Sequence, residues 1–240
     1  MVKAWQASNP RSPAAALMEI QYWIQRAWDA RGHGYANTVT KEGWRLFDEH
    51  LAKAEALLQS TKTYAAQNPL WYRLYLDLAL ARGWSLERTS ALFRTAVAAE
   101  PGFVGHDFVM IERLSPKWGG SFEQVDAFIQ ESVKRTRAEE GEALYARLYW
   151  AVSDGEQQPF NLFKDTRASW PRMKQGFEDM MKRYPDSMMN LNNYAAFACM
   201  AGDKKTYGVL RQRIGKEVRY DAWYANLTPE VCDHRFFPAI

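Results

Sequence analysis

The side chains best suited to acid–base, nucleophilic or metal chemistry in this chain are four histidines and two cysteines, and their neighbours decide what each could do. His106 and Asp107 are adjacent, the residue types of a general base with an orienting carboxylate. Cys232-Asp233-His234 sets a thiol near an imidazole, the ingredients of an activated nucleophile. Adjacent residues on a helix point in different directions, however, so closeness in sequence alone brings neither set into hydrogen-bond reach. His33, between Gly32 and Gly34, reads as a turn residue, and His50 follows Glu49 on a helix. The sequence has no His-Glu-x-x-His, no Cys-x-x-Cys, no acidic calcium loop and no glycine-rich phosphate cradle. No catalytic residue, metal or cofactor is therefore expected.

Two cysteines cannot build a disulfide framework, and Cys199 lies in the apolar run Tyr194 to Met200, where a buried free thiol is the plain reading. A reducing, cytoplasmic setting follows as the expectation. Met1 to Ala16 lacks the apolar stretch of a secretory leader, and no segment approaches the roughly 18 apolar residues of a spanning helix, so no membrane is expected. The net charge of +3 lies wholly within residues 1–120, too little for a polyanion binder by bulk charge. The one basic window, Lys204, Lys205, Arg211, Arg213, Lys216 and Arg219, is diluted by Asp203 and Glu217 and reads as a solvated helix face. A nucleic-acid partner is not expected.

Aromatic residues, 14% of the chain, are the compositional excess. Trp28, Trp44, Phe47, Phe93, Phe128, Phe177 and Tyr194 fall on apolar helical stripes and read as core. Trp5, Trp23, Trp84, Trp150, Tyr220, Trp223 and Tyr224 lie off those stripes. Since Trp, Tyr and Arg supply most interface anchors, Trp84, Trp150, Tyr220, Trp223, Tyr224, Arg211 and Arg213 are the candidates for contact with a partner protein.

The elements that must position these residues are helices. Ser12-Pro13 reads as an N-cap and first helical residue, followed by Leu17, Ile20, Ile24 and Ala27 on one face until Gly32. The same spacing predicts helices over Lys41–Ala66, Leu70–Arg82, Leu86 to Pro101 and Phe103–Leu114. Ser121-x-x-Gln124 is a capping box before Val125, Ile129 and Val133. Helical spacing continues through Leu144 and Leu148, Met173 and Phe177, Leu191 and Ala198, and Leu210 and Ile214. Residues 153–168 read as an insertion loop and residues 216–240 as a tail docked on the body, within one domain spanning 1–240. No strand or hairpin signal appears. The fold class expected is all-α, with stacked antiparallel helical pairs.

Pro69 and Pro101 bracket helix, Gly83, helix, with Phe93, Ala96 and Pro101 at the offsets of the second helix of a tetratricopeptide (TPR) repeat; Phe177, Met180 and Pro185 repeat that spacing. The segment Leu114-Ser115-Pro116-Lys117-Trp118-Gly119-Gly120-Ser121 adds a more specific mark. With Gly34-Tyr35, Pro69-x-Trp71-Tyr72, Glu100-Pro101-Gly102-Phe103 and Tyr145-Ala146-Arg147, it resembles a bacterial family of uncharacterised TPR-like proteins bearing a Pro-x-Trp-Gly-Gly-Ser loop, over roughly Tyr22 to Trp150. The resemblance implies a TPR-like α-solenoid that binds something. Within the loop, Pro116 would stop a helix, Trp118 plug between helices, Gly119-Gly120 make a tight turn and Ser121 cap the next helix.

The expectation is a non-catalytic protein–protein interaction scaffold, acting as an adaptor or as an immunity protein that neutralises a toxin. The alternative is a saccharide-acting hydrolase of the α/α-toroid kind, which requires two facing carboxylates in an aromatic-lined cleft.

Overall fold

The computed structural model describes residues 5, 8–32, 34–156, 160–224 and 226–238; His33 lies outside them. Among these residues the chain is all-α, with no strand and a single isolated bridge between Tyr224 and Leu227. It divides into two compact units, Met1–Arg113 and Leu114–Ile240.

The first unit contains α1 (Pro13–Arg31), α2 (Lys41–Ala65), α3 (Pro69–Ala81), α4 (Leu86–Ala99) and α5 (Gly105–Leu114), the last ending at the boundary. The local starts and stops are those the residue types dictate. The Ala15 N–H donates to Ser12 Oγ at 3.3 Å with Pro13 at the first helical position, and the Gly43 N–H donates to Thr40 Oγ1 at 3.0 Å. The stripe Leu17, Ile20 and Ile24 of α1 packs with Ala54 and Leu58 of α2 and with Trp71, Leu74 and Leu78 of α3. Ala27, at the other end of α1, meets Phe47 and Leu51, so the first two helices run antiparallel. Trp44 is not core: at the first turn of α2 it stays 36% exposed, edge-on to Phe47 and 5.5 Å from the Arg31 guanidinium, which also stacks on Trp28. Phe93 is likewise only half-buried, because α4 buries little beyond Thr89 and Ala96.

The second unit contains α6 (Phe122–Glu140), α7 (Ala143–Gly155), α8 (Leu162–Asp165), α9 (Trp170–Arg183), α10 (Met188–Met200), α11 (Lys204–Ile214) and α12 (Pro229–Phe236). The 153–168 stretch is thus partly ordered helix, since α7 runs on to Gly155 and Asn161 caps the short α8. The loop before α6 is built as its residues suggest. Pro116–Trp118 forms one tight turn, Gly119 takes a left-handed φ of 81°, the Gly120 N–H donates to Ser115 O at 3.1 Å, and the Gln124 N–H donates to Ser121 Oγ at 3.3 Å. Phe128, expected in the core, is half-buried, while Ile129 and Val133 of α6 are fully buried.

At the centre lies α10. Every residue from Leu191 to Met200 is buried, which identifies a helix packed on all sides rather than an amphipathic one. Phe177 of α9 stacks on Tyr194 at 5.0 Å between ring centroids, and α11 covers α10 with Tyr207 and Leu210. Gly176 allows α9 to approach α7: a Cβ there would stand 2.7 Å from that of Ala146.

Asp203 ties α9 to the head of α11. Burial alone would raise its pKa, but the Thr206 N–H (3.0 Å) and hydroxyl (2.7 Å), the Trp170 indole N–H (3.1 Å) and the Lys174 ammonium (3.4 Å) prevail and hold it at about 2. A depressed carboxylate stabilises the fold above its unfolded value of about 4, and that contribution disappears as pH falls toward 2. We expect Asp203→Asn to cost about 1–2 kcal/mol at pH 7, after solvent screening, and to flatten the loss of stability between pH 5 and 2. Urea titrations of both proteins across that range test this; parallel pH profiles would refute it.

The tail is held covalently. Cys199 at the end of α10 is bonded to Cys232 in α12, with Cα atoms 6.0 Å apart and neither residue exposed. The free-thiol reading of Cys199 is therefore corrected, and Cys232 is not available as a nucleophile. Sequence separation concealed the pairing, because the two cysteines are 33 positions apart and a whole helix intervenes before the chain returns.

Candidate functional site

In the second unit a groove of about 840 Å³ lies between the end of α6, the outer face of α7 and the end of α9. Its charges come from helix ends. Lys182 and Arg183 sit in the last turn of α9, where cations complement the helix dipole, and Glu139 and Glu140 close α6. Arg147 projects from α7 one turn before Trp150, which is half-buried on the groove wall, and Tyr184 extends the rim with 56% of its surface exposed.

Two kinds of polar group meet there. Asp179 is fully engaged: it accepts from the Glu142 backbone N–H, Gln175 Nε2 and Lys182 Nζ, each at 3.0 Å. Burial opposes ionisation of Asp179, yet these donors lower its pKa, as expected of a carboxylate that caps α7 from a neighbouring helix. Glu140 differs. Arg147 stands 3.5 Å and Arg183 3.6 Å from its two oxygens, ion-pair distances too long for good hydrogen bonds. Glu140 Oε2 is buried and accepts no hydrogen bond. Behind the groove, Arg172 fastens α9 to α7 through Glu142 Oε2 at 2.7 Å and lies 4.0 Å over the Tyr145 ring.

Of the seven contact residues proposed from sequence, only Trp150 lines this groove. Trp84 belongs to the first unit, with the Arg88 guanidinium 3.2 Å over its ring and Tyr75 against its edge. Four of the other five secure the tail. Trp223 is buried, not exposed, and its indole N–H donates to Asn192 Oδ1 at 3.0 Å. Tyr224 donates to Asp154 at 3.0 Å beside a smaller pocket of about 250 Å³; burial raises the Asp154 pKa. Tyr220 is exposed and donates to Glu230 at 2.7 Å. Arg211 donates to Asp233 at 3.0 Å, and Arg213 to the Pro185 carbonyl at 2.6 Å. Sequence reasoning missed Glu140, Arg147, Arg183 and Tyr184. The available signal was the Lys182-Arg183-Tyr184-Pro185 run, where cations, a terminal aromatic and a proline mark a helix end.

His106 and His50 are structural in setting. His106 is fully buried, with Nε2 3.0 Å from the Pro69 carbonyl, which makes Nε2 the protonated nitrogen and links α5 to the head of α3. His50 packs on Trp23 at 5.2 Å, and burial lowers its pKa. Among the described residues, no group of three or more His, Cys, Asp or Glu is placed to hold a metal ion, and no helix is long and apolar enough to cross a membrane.

Compared with known proteins, residues 1–79 match a family model described as Domain of unknown function (DUF4034). The match covers α1, α2 and most of α3, all in the first unit, and stops before the Pro116–Ser121 loop. No curated protein and no solved structure matches the chain.

Proposed function

We propose that the chain is a non-catalytic, TPR-like helical scaffold, an adaptor or immunity protein, that binds a partner protein through the groove of its second unit. The observation that carries this reading is the state of Glu140: a buried carboxylate oxygen without a hydrogen-bond donor, between two arginines held at ion-pair rather than hydrogen-bond distance. A polypeptide carries N–H donors suited to the carboxylate, and its own carboxylates suit the exposed Lys182 and Arg183 side chains on the same rim. Trp150 and Tyr184 on the same wall supply flat, low-entropy anchors of the kind that dominate protein interfaces. The α3–α4 pair bracketed by Pro69 and Pro101 supports the repeat-like reading of the scaffold.

The test is affinity capture from the source cells with the tagged chain. Wild type is expected to retain one protein at stoichiometric amounts, and Trp150→Ala to weaken that complex by about 30-fold, the loss of one interface anchor. An Arg183→Glu variant should weaken it further and make it insensitive to salt. Failure of the wild type to retain any protein, or equal retention by both variants, would overturn the proposal.

A further inference from the structure

We infer that the C-terminal helix α12 is a strap latched by the Cys199–Cys232 disulfide, closed where the protein meets disulfide oxidants and released by dithiols. Cys199 and Cys232 are the chain's only cysteines, and the bond between them is the one covalent tie from α12 to the body besides the main chain itself. Beside the Tyr220 hydroxyl's bond to Glu230, the other ties of α12 converge on α11 and the end of α10. Tyr207 donates to Asp233 at 2.6 Å and stacks against Phe236 and Phe237, Arg211 pairs with Asp233, and Arg235 reaches the Cys199 carbonyl at 3.2 Å. Lys204 lies 5.0 Å from the Phe237 ring, which is itself half-exposed. A helix of eight residues held by such partly solvated contacts has little stability of its own. Lifting it would uncover the Tyr207 ring and the sulfur of Cys199, both fully buried when the strap is closed.

The chemistry is thiol–disulfide exchange. On closing, the two thiols become one disulfide, and an external disulfide accepts the two electrons and two protons to become two thiols. On opening, a dithiol attacks the bond, becomes a cyclic disulfide itself and leaves Cys199 and Cys232 as thiols. Because both sulfurs are buried, the reductant reaches them only when α12 opens, so reduction of the native chain is slower than that of the unfolded chain. A structural disulfide of this kind assigns the chain to an oxidising compartment rather than the cytoplasm expected from its cysteine count.

Mass spectrometry and hydrogen exchange on the full chain test the inference. After incubation with glutathione disulfide, we expect a linked Cys199–Cys232 peptide and no titratable thiol; after dithiothreitol, two thiols. Reduction should speed amide exchange in residues 229–236 and 204–210 by about ten-fold or more, and leave α1–α3 unchanged. A Cys199→Ser, Cys232→Ser double variant should reproduce the reduced pattern; if it fails to fold, reduction of the native wild type gives the same readout. Two titratable thiols in the oxidant-treated protein, or exchange of residues 229–236 unaltered by reduction, would overturn the inference.

Discussion

Gly120→Ala is expected to destabilise the second unit by about 3 kcal/mol or more, while Gly119→Ala next to it costs only about 1–2 kcal/mol. The two glycines serve different ends. Gly119 has the left-handed backbone, and nothing lies within 4 Å of where its Cβ would go, so alanine there meets only backbone strain. At Gly120 the added Cβ would stand 2.5 Å from the Leu114 carbonyl carbon and 3.0 Å from its Cα, and closer still to the carbonyl oxygen, far inside van der Waals contact. Those atoms are main chain at the end of α5 and cannot rotate away, so relief requires opening the turn. The cost includes the Gly120 N–H bond to Ser115 O and the angle at which α6 leaves the loop. Urea denaturation followed by circular dichroism gives both values; equal costs would show that conformation rather than space selects Gly120.

Phe177→Ala is expected to cost 3–5 kcal/mol, about the usual price of emptying an aromatic site in a packed interior. The ring has no exposed surface, lies nearly parallel to Tyr194, with 8° between the planes, and is 5.7 Å from Phe197. Both neighbours project from α10, so the void cannot collapse without moving the central helix. Phe177→Leu, which keeps most of the volume, should cost less than half as much. Hydrogen exchange of α10 should report the difference, with protection falling in the alanine variant and the amides of α1 and α2 unaffected. A loss below about 1 kcal/mol for the alanine variant would mean that α9 is not anchored through this ring.

Periodicity made most of the helices legible, because an apolar stripe is a local signal that survives without tertiary information. Ser12-Pro13 and Ser121-x-x-Gln124 mark real caps for the same reason: the hydroxyl and the amide it serves are three residues apart. The misreadings share one cause. Trp44 lies on an apolar stripe but at a helix start, where Phe47 and Arg31 cover it only in part, and Trp223 lies off any stripe yet is buried through a bond to Asn192, 31 residues away. Cys199 and Cys232 meet because a tail folds back, and no spacing rule anticipates that return. The groove was hidden in the same way: Glu140, Arg147 and Arg183 come from three helices and are brought together only by packing.

The burial of α10 bears on how the protein is made. Its coverings come from both directions along the chain: α9 precedes it, whereas α11, the 220–222 turn and the disulfide-bound α12 follow. While the ribosome is still adding those last segments, the ten buried residues from Leu191 to Met200 lack part of their cover. The first unit is under no such constraint and can assemble as soon as α3 emerges to close its core. Synthesis therefore leaves a finished N-terminal body attached to an incomplete C-terminal one, and a nascent chain cut short before Lys204 would carry an incompletely covered hydrophobic helix, the feature that chaperones and proteases recognise.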